Sequence, residues 1–238
     1  ESVARKVTHT SPPLLYDLTA LQKEANRRHG FSADKTLSIA QSLYEKKITT
    51  YPRTGSRYIS EDVFEEVPAL LRKTGTAIKS SLNRHSVDNT KVTDHHAIIP
   101  TGETPLGLSA DETTIYQMVV TRFLEAFSPD SEEERMQVQF TDDTNIFTWK
   151  ACRQISLGWK AVHKEVKADD EEEILATLPN LAEGEYLPVL NAEITEHKTK
   201  PKSLYTEATL LSAMENAGKE VEDAESKKAI AECGIGTP

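Results

Sequence analysis

Residues 48–58 read Ile48-Thr-Thr-Tyr51-Pro-Arg53-Thr-Gly-Ser-Arg57-Tyr58, and this stretch sets the fold around it. Its β-branched residues, proline and glycine carry no helical period, so it predicts a strand or turn. Before it, Leu37, Ala40, Leu43 and Tyr44 recur at helical spacing and predict an inward face, with Ser32 as N-cap. Lys46 and Lys47 fall at the C-terminal end of that helix, where its dipole favours cations. After it, Ser60 predicts an N-cap, Glu61 and Asp62 a first turn, and Val63, Phe64, Val67 and Leu71 the inward face. Two helices flanking an extended segment predict a winged-helix-like subdomain, a common nucleic-acid scaffold. Chemically, a tyrosine can attack a phosphodiester and a guanidinium can clamp its oxygens. The bland readings stay open: an amphipathic tyrosine at a strand end, and an arginine in a surface salt bridge.

Further stretches extend the pattern. Residues 94–101 read Asp94-His95-His96-Ala-Ile-Ile-Pro100-Thr101, residues 205–211 read Tyr205-Thr-Glu-Ala-Thr-Leu-Leu211, and residues 234–238 read Gly234-Ile-Gly-Thr-Pro238. Paired histidines can ligate a metal, but a pair with no third ligand nearby is a weak metal signal. In order along the chain, these segments and the helix of residues 34–47 resemble the type IA DNA topoisomerases. That family has Tyr-Pro-Arg-Thr/Ser-Asp-Ser/Cys at the tyrosine, His-x-Ala-Ile-x-Pro-Thr at the histidine, and later Glu-Ala-x-Leu and Gly-Ile-Gly-Arg/Thr-Pro elements. The His-His-Ala-Ile-Ile-Pro-Thr wording is that of the topoisomerase III branch.

The resemblance implies roles. Tyr51 would be the nucleophile, left on a 5′ phosphate while a 3′ hydroxyl is released, with no ATP needed. A phenol with an ordinary pKa near 10 needs a neighbouring cation or base to attack at neutral pH. Arg53 would stabilise the charge developing on the phosphate. His95 would donate a hydrogen bond or proton to the phosphate or the leaving oxygen, with Asp94 orienting the pair. Thr54, Ser56, Arg57 and His96 would contact DNA; turn residues and solvated side chains are their alternatives. Gly55 stands where the family usually has aspartate, so a carboxylate is missing beside the tyrosine.

Length and composition set the frame. The 238 residues allow one large or two small domains. The net charge is -10, which taken alone argues against nucleic acid and for a soluble interaction domain that never meets DNA. The charge is uneven, however. Residues 1–100 hold 15 Lys and Arg against 11 Asp and Glu, a balance of +4, leaving 13 against 27, or -14, for the remainder. The positive field therefore falls on the part carrying Tyr51 and His95. No apolar run approaches a membrane span. Cys152 and Cys233 form no metal-ligand cluster and read as reduced thiols of a cytoplasmic protein.

Outward from the centre, Leu14 to His29 predicts the first helix, with Gly30 as its end. Ser109-Ala-Asp-Glu112 reads as a capping box opening a helix with Ile115, Met118, Val119 and Phe123 inward. Met136–Phe140 and Ile146–Cys152 read as strands joined by a polar turn, with further strands at Trp159–Val162 and Leu187–Ile194. Residues 169–173 read as an exposed acidic loop. Helix returns after 203.

The expected fold class is α+β. Residues 13–128 would be a helical gate bearing the tyrosine. Residues 1–12 and 129–200 would form a β-rich hinge, and 201–238 the truncated start of the next helical domain. The basic stretch of Lys198, Lys200 and Lys202 would turn the chain toward a single-strand groove, or is a solvated linker. The chain starts at Glu1 and stops inside a recognisable motif, so it reads as an internal fragment lacking the Toprim domain. In the family, that domain's carboxylates hold Mg2+. The expected partners are single-stranded or underwound DNA and the missing Toprim domain, at the bacterial nucleoid. The rival reading is a non-catalytic single-stranded nucleic-acid-binding module whose tyrosine stacks on bases.

Overall fold

A computed structural model describes residues 2–74, 81–163 and 172–217. Its elements are β1 (Ser2–Thr10), α1 (Leu18–His29), α2 (Ala33–Glu45), α3 (Glu61–Lys73), α4 (Ala110–Ala126), β2 (Ser131–Thr141), β3 (Ile146–Ser156), β4 (Glu173–Ile174) and α5 (Glu207–Glu215). They fall into two units: residues 13–127 with those from 203 onward, and residues 1–12 with 128–202.

In the first unit, helix starts follow local capping chemistry. Ser32 Oγ accepts from Lys35 N–H at 3.1 Å and Ser60 Oγ from Val63 N–H at 3.4 Å. Ser109 and Glu112 cap each other reciprocally, at 3.2 and 2.8 Å. The first helix begins at Leu18, four residues later than its apolar spacing predicts. Asp17 is the cap, its carboxylate accepting from Ala20 N–H at 2.6 Å. Tyr16 is extended instead, its carbonyl accepting from Ile98 N–H at 2.8 Å. Gly30 ends α1 in the left-handed region, φ +68°, its N–H reaching the Asn26 carbonyl at 2.9 Å.

Residues 97–99 divide the core between them. Ala97 and Ile99 enter one apolar cluster with Leu15, Ile59, Leu71 and Phe123. Ile98 enters the other, with Tyr16, Leu21, Leu43 and Ile115. This is the two-residue alternation of extended chain. Helix α4 serves both clusters, Ile115, Met118 and Val119 on one side and Phe123 and Ala126 on the other. Tyr16 is buried under the Arg122 guanidinium, 4.2 Å from its ring centroid, and burial pushes its phenol well above the usual range. Arg122 is itself satisfied by Glu24 at 2.5 Å, Glu125 at 3.0 Å and the Leu14 carbonyl at 3.1 Å. Helix α5 packs on α1 in the same unit; Asn26 Oδ1 accepts from Ala208 N–H at 3.1 Å and Lys23 pairs with Glu215 at 2.6 Å.

The second unit is a four-stranded sheet in the order β1-β2-β3-β4, antiparallel except for the short β3–β4 pair. The β2 and β3 strands run longer than predicted, joined by the expected polar turn. Asp142 closes that turn by accepting from Thr144 and Asn145 N–H at 3.0 and 2.6 Å. Residues 2–10, placed with the β-rich hinge but given no strand of their own by the sequence, form a full strand. Polar residues suffice there because β1 pairs with β2 along its whole length, from Ser2 opposite Gln139 to Thr10 opposite Ser131.

Two predicted strands are corrected. Gly158–Val162 is a 3-10 turn, in which Gly158 has φ +50° and Trp159 N–H bonds the Pro129 carbonyl at 2.9 Å. Residues 187–194 form no strand; Val189, Leu190 and Ile194 stand exposed without a pairing partner among the described residues. The acidic loop is corrected in part: Glu172 pairs with Arg135 at 3.3 Å and Glu173 opens β4, while residues 169–171 lie outside the described residues. So do Cys233 and the 234–238 motif. Cys152 is buried as a free thiol. No helix among the described residues is long and apolar enough to cross a membrane.

Candidate active site

The chain leaves α2 through a left-handed residue. Lys47, at φ +61°, donates its N–H to the Tyr44 carbonyl at 2.8 Å, and Ile48 N–H reaches the Leu43 carbonyl at 2.9 Å. This pair of bonds is a Schellman closure, usually built on glycine. It reverses the chain at once, and residues 48–50 run antiparallel to 99–101. Thr50 N–H bonds the Ile99 carbonyl at 3.0 Å, and Thr101 N–H bonds the Ile48 carbonyl at 3.1 Å. The side chains add to this pairing. Thr50 Oγ1 donates to the Ala97 carbonyl at 3.1 Å, and Thr101 Oγ1 to the Lys47 carbonyl at 2.6 Å. Farther along, Ala97 N–H bonds the Tyr58 carbonyl at 2.9 Å. The histidine segment is therefore held against the tyrosine segment on both sides of Tyr51.

That bracing brings Tyr51 and His95 together, with ring centroids 4.6 Å apart and planes tilted by 50°. Tyr51 is half-buried and His95 exposed. Arg53 is exposed and, among the described residues, enters no ion pair. His96 Nδ1 lies 2.8 Å from the Ala97 carbonyl, so its Nδ1-protonated tautomer donates there. Asp94 is exposed and, among the described residues, makes no hydrogen bond to either histidine.

The hydroxyls near the tyrosine bond the chain's own backbone. Thr54 and Ser56 are buried at 4% and 3% exposure. Thr54 Oγ1 accepts from Ser56 N–H at 3.1 Å and donates to the His95 carbonyl at 2.9 Å. Ser56 Oγ donates to the Lys91 carbonyl at 2.8 Å. In this conformation both protons are spent on backbone carbonyls, that of His95 within the histidine segment and that of Lys91 just before it. Arg57 is half-buried, its Nε donating to the Leu15 carbonyl at 3.1 Å. Lys198, Lys200 and Lys202 are exposed and belong to the sheet unit.

Gly55 is exposed, and a Cβ built on it meets no atom within 4 Å. The backbone there leaves open space where a side chain would begin. Among the described residues no group of three His, Cys, Asp or Glu side chains comes together to hold a metal.

Sequence reading missed Tyr44. Its helical spacing places it inward, yet it is 41% exposed and meets Tyr51 edge-on, with centroids 5.2 Å apart and planes at 76°. The signal that could have found it is the short reversal between the two tyrosines, which returns the chain along the helix end.

Comparison with known proteins bears on the whole chain. Residues 1–238 match the family model described as DNA topoisomerase. The chain is 39% identical to DNA topoisomerase 3 of Shouchella clausii, over all of this chain and 35% of that protein. It is 44% identical to DNA topoisomerase 3 of Bacillus licheniformis, over 86% of this chain and 30% of that one. The chain thus spans about a third of the length of the curated relatives it matches. Among solved structures, the full-length topoisomerase I of Thermotoga maritima superposes with a TM-score of 0.66 at 27% identity, covering 98% of this chain and 40% of that one.

Proposed function

The chain belongs to the type IA DNA topoisomerase family, and from that membership we propose that it carries the nucleophile-bearing part of an enzyme of the DNA topoisomerase 3 kind. The single observation that supports this most is the contact of the half-buried Tyr51 ring with the exposed His95 ring at 4.6 Å. Residues 44 apart in sequence are brought together, and Arg53, two residues along the chain from Tyr51, is exposed and enters no ion pair among the described residues.

In the proposed reaction Tyr51 Oη attacks a backbone phosphorus. One P–O bond to the tyrosine forms as the P–O3′ bond breaks, so the exchange conserves bonds and needs no ATP. The phenolic proton passes to solvent water and the leaving 3′ oxygen takes one, with His95 as the donor at hand, so the proton count balances. Arg53 binds the non-bridging oxygens as charge develops on them. Thr54 acts through the His95 backbone, and Ser56 through that of Lys91 just before the histidine segment. Single-stranded or underwound DNA is the proposed substrate, held through phosphate and stacking contacts, and the cytoplasm the proposed location. The described residues do not fit a magnesium site, so no step here runs through a metal. The Toprim carboxylates would bring Mg2+ with the rest of the parent protein, and this chain alone would bind single strands without cleaving them.

The test uses end-labelled single-stranded DNA, magnesium, and this chain with and without the Toprim-containing part of its parent, resolved on denaturing gels. The expected result is a labelled covalent band that needs both pieces and vanishes in Tyr51→Phe. A band that persists in Tyr51→Phe would sink the assignment. Binding that survives with no band in any arm, Gly55→Asp included, would favour the base-stacking module instead.

A further inference from the structure

Tyr51 has an aromatic neighbour on each of two sides: His95, and Tyr44 from the last turn of α2. We propose that Tyr44 is a positioning residue for the nucleophile, its ring holding the Tyr51 ring at the angle from which the phenol oxygen meets phosphorus. The inference deepens the reading above and rests on it.

Three observations support it. The contact has the edge-to-face geometry that the ring quadrupole favours, 76° at 5.2 Å. Tyr44 is 41% exposed, so its ring is not committed to the core that its helical spacing suggests. The chain joining the two tyrosines is fixed at both ends, by the Schellman bonds at Lys47 and Ile48 and by the pairing of Thr50 and Thr101 with the opposite segment. Tyr44 and Tyr51 therefore belong to one stiff reversal, and neither ring is free to drift from the other. Displacement at phosphorus is steeply sensitive to the placement of the attacking atom. An aromatic wall that narrows the χ2 range of Tyr51 acts on the rate and leaves DNA binding alone. The Tyr44 hydroxyl is not needed for this role; the flat ring is.

The experiment measures single-turnover formation of the covalent adduct with this chain plus the Toprim-containing part of its parent. Single-strand affinity is measured separately by anisotropy. Tyr44→Phe should react as the unaltered chain does. Tyr44→Ala should form adduct about three- to tenfold more slowly, with affinity unchanged within about twofold. Tyr44→Leu, which keeps bulk but not the ring, should resemble alanine and guards against a folding defect in the smaller variant. Adduct formation by Tyr44→Ala at the unaltered rate overturns the proposal while leaving Tyr51 as nucleophile. A parallel loss of affinity also overturns it and makes Tyr44 a DNA contact. Loss of the Tyr51-dependent band from the unaltered chain is failure of the underlying reading and is seen before any Tyr44 variant is compared.

Discussion

In the helical unit the side chains fully shut away from water are large and apolar, among them Leu15, Leu43, Ile98 and Phe123. In the sheet unit the buried apolar side chains are few, chiefly Met136, Val138, Ala151 and Cys152. Both units carry ion pairs, but in the sheet unit charge pairs run between the strands themselves, with little apolar burial beside them. Glu134 meets Arg153 at 2.7 Å, and Glu133 meets Lys160 and Arg135. One unit is held by area removed from water, at about 25 cal/mol per Å2. The other relies on ladder hydrogen bonds and on pairs worth roughly 0–1 kcal/mol each where exposed. The rigid constellation of Tyr44, Tyr51 and His95 is built on the first. Precise placement needs the stiffness of a close-packed interior, and a charge-laced sheet tolerates more give.

The two units can be followed separately, because Trp149 and Trp159 both lie in the sheet unit. Tryptophan fluorescence reports the sheet, and circular dichroism at 222 nm reports mainly the helices. The hardest blow to the contrast is Phe123→Ala, which empties a fully buried aromatic site. It should cost about 3–5 kcal/mol in urea denaturation followed at 222 nm, with the fluorescence midpoint moving far less. If both probes move together, the units do not unfold independently and the contrast collapses.

Acid gives a smaller effect. The Lys46 ammonium, helped by the Ser109 backbone and the Ser42 hydroxyl, holds the Glu112 carboxyl down to about 2 from an ordinary value of 4.5. A depressed folded-state value means that the contribution is present above about 4.5 and is lost as pH falls toward about 2. Glu112→Gln should remove part of the helical unit's acid sensitivity in that window and cost about 1–2 kcal/mol at neutral pH. An unchanged profile would show that the carboxylate contributes nothing through charge.

Salt should act on the other unit. At 1 M sodium chloride, where screening reaches within about 3 Å, the fluorescence midpoint should fall by the equivalent of about 1 kcal/mol. The 222 nm midpoint should fall less, since apolar burial, which screening does not weaken, carries more of that unit's stability. The smallest change is Lys47→Gly. It relieves the left-handed backbone and should stabilise the helical unit by about 0.5–1 kcal/mol, measured by the same melt. No gain would mean that the lysine side chain offsets its own strain.

Local chemistry made much of the fold legible. Ser32, Ser60 and Ser109 announced helix starts because a capping hydroxyl acts within three residues of itself. Where a distant partner decides, spacing misleads. The Leu14–Tyr16 stretch satisfies a helical period, but Ile98 claims the Tyr16 backbone. Leu187, Val189, Leu190 and Ile194 give an apolar run that reads as a strand, yet it pairs with no neighbour among the described residues. Polar β1 carries no apolar signal because its pairing with β2 is charged and backbone-driven. At the site, the resemblance picked out Tyr51, Arg53 and His95, and the fold sets Tyr51 against His95. It could not see that Thr54 and Ser56 turn inward or that Tyr44 turns outward. Both depend on the fit of residues 48–58 against 94–101.

That fit has a consequence for the order of events during folding. The segment from Ala97 to Thr101 closes loops of some fifty residues onto Ile48 and Thr50, and such closures carry an entropic cost that only finished cores repay. Helix α2 can form early from its own caps, with Tyr44 already on its last turn. Tyr51 meets its histidine only through contacts some fifty residues apart in sequence, whereas it meets Tyr44 through one short local reversal.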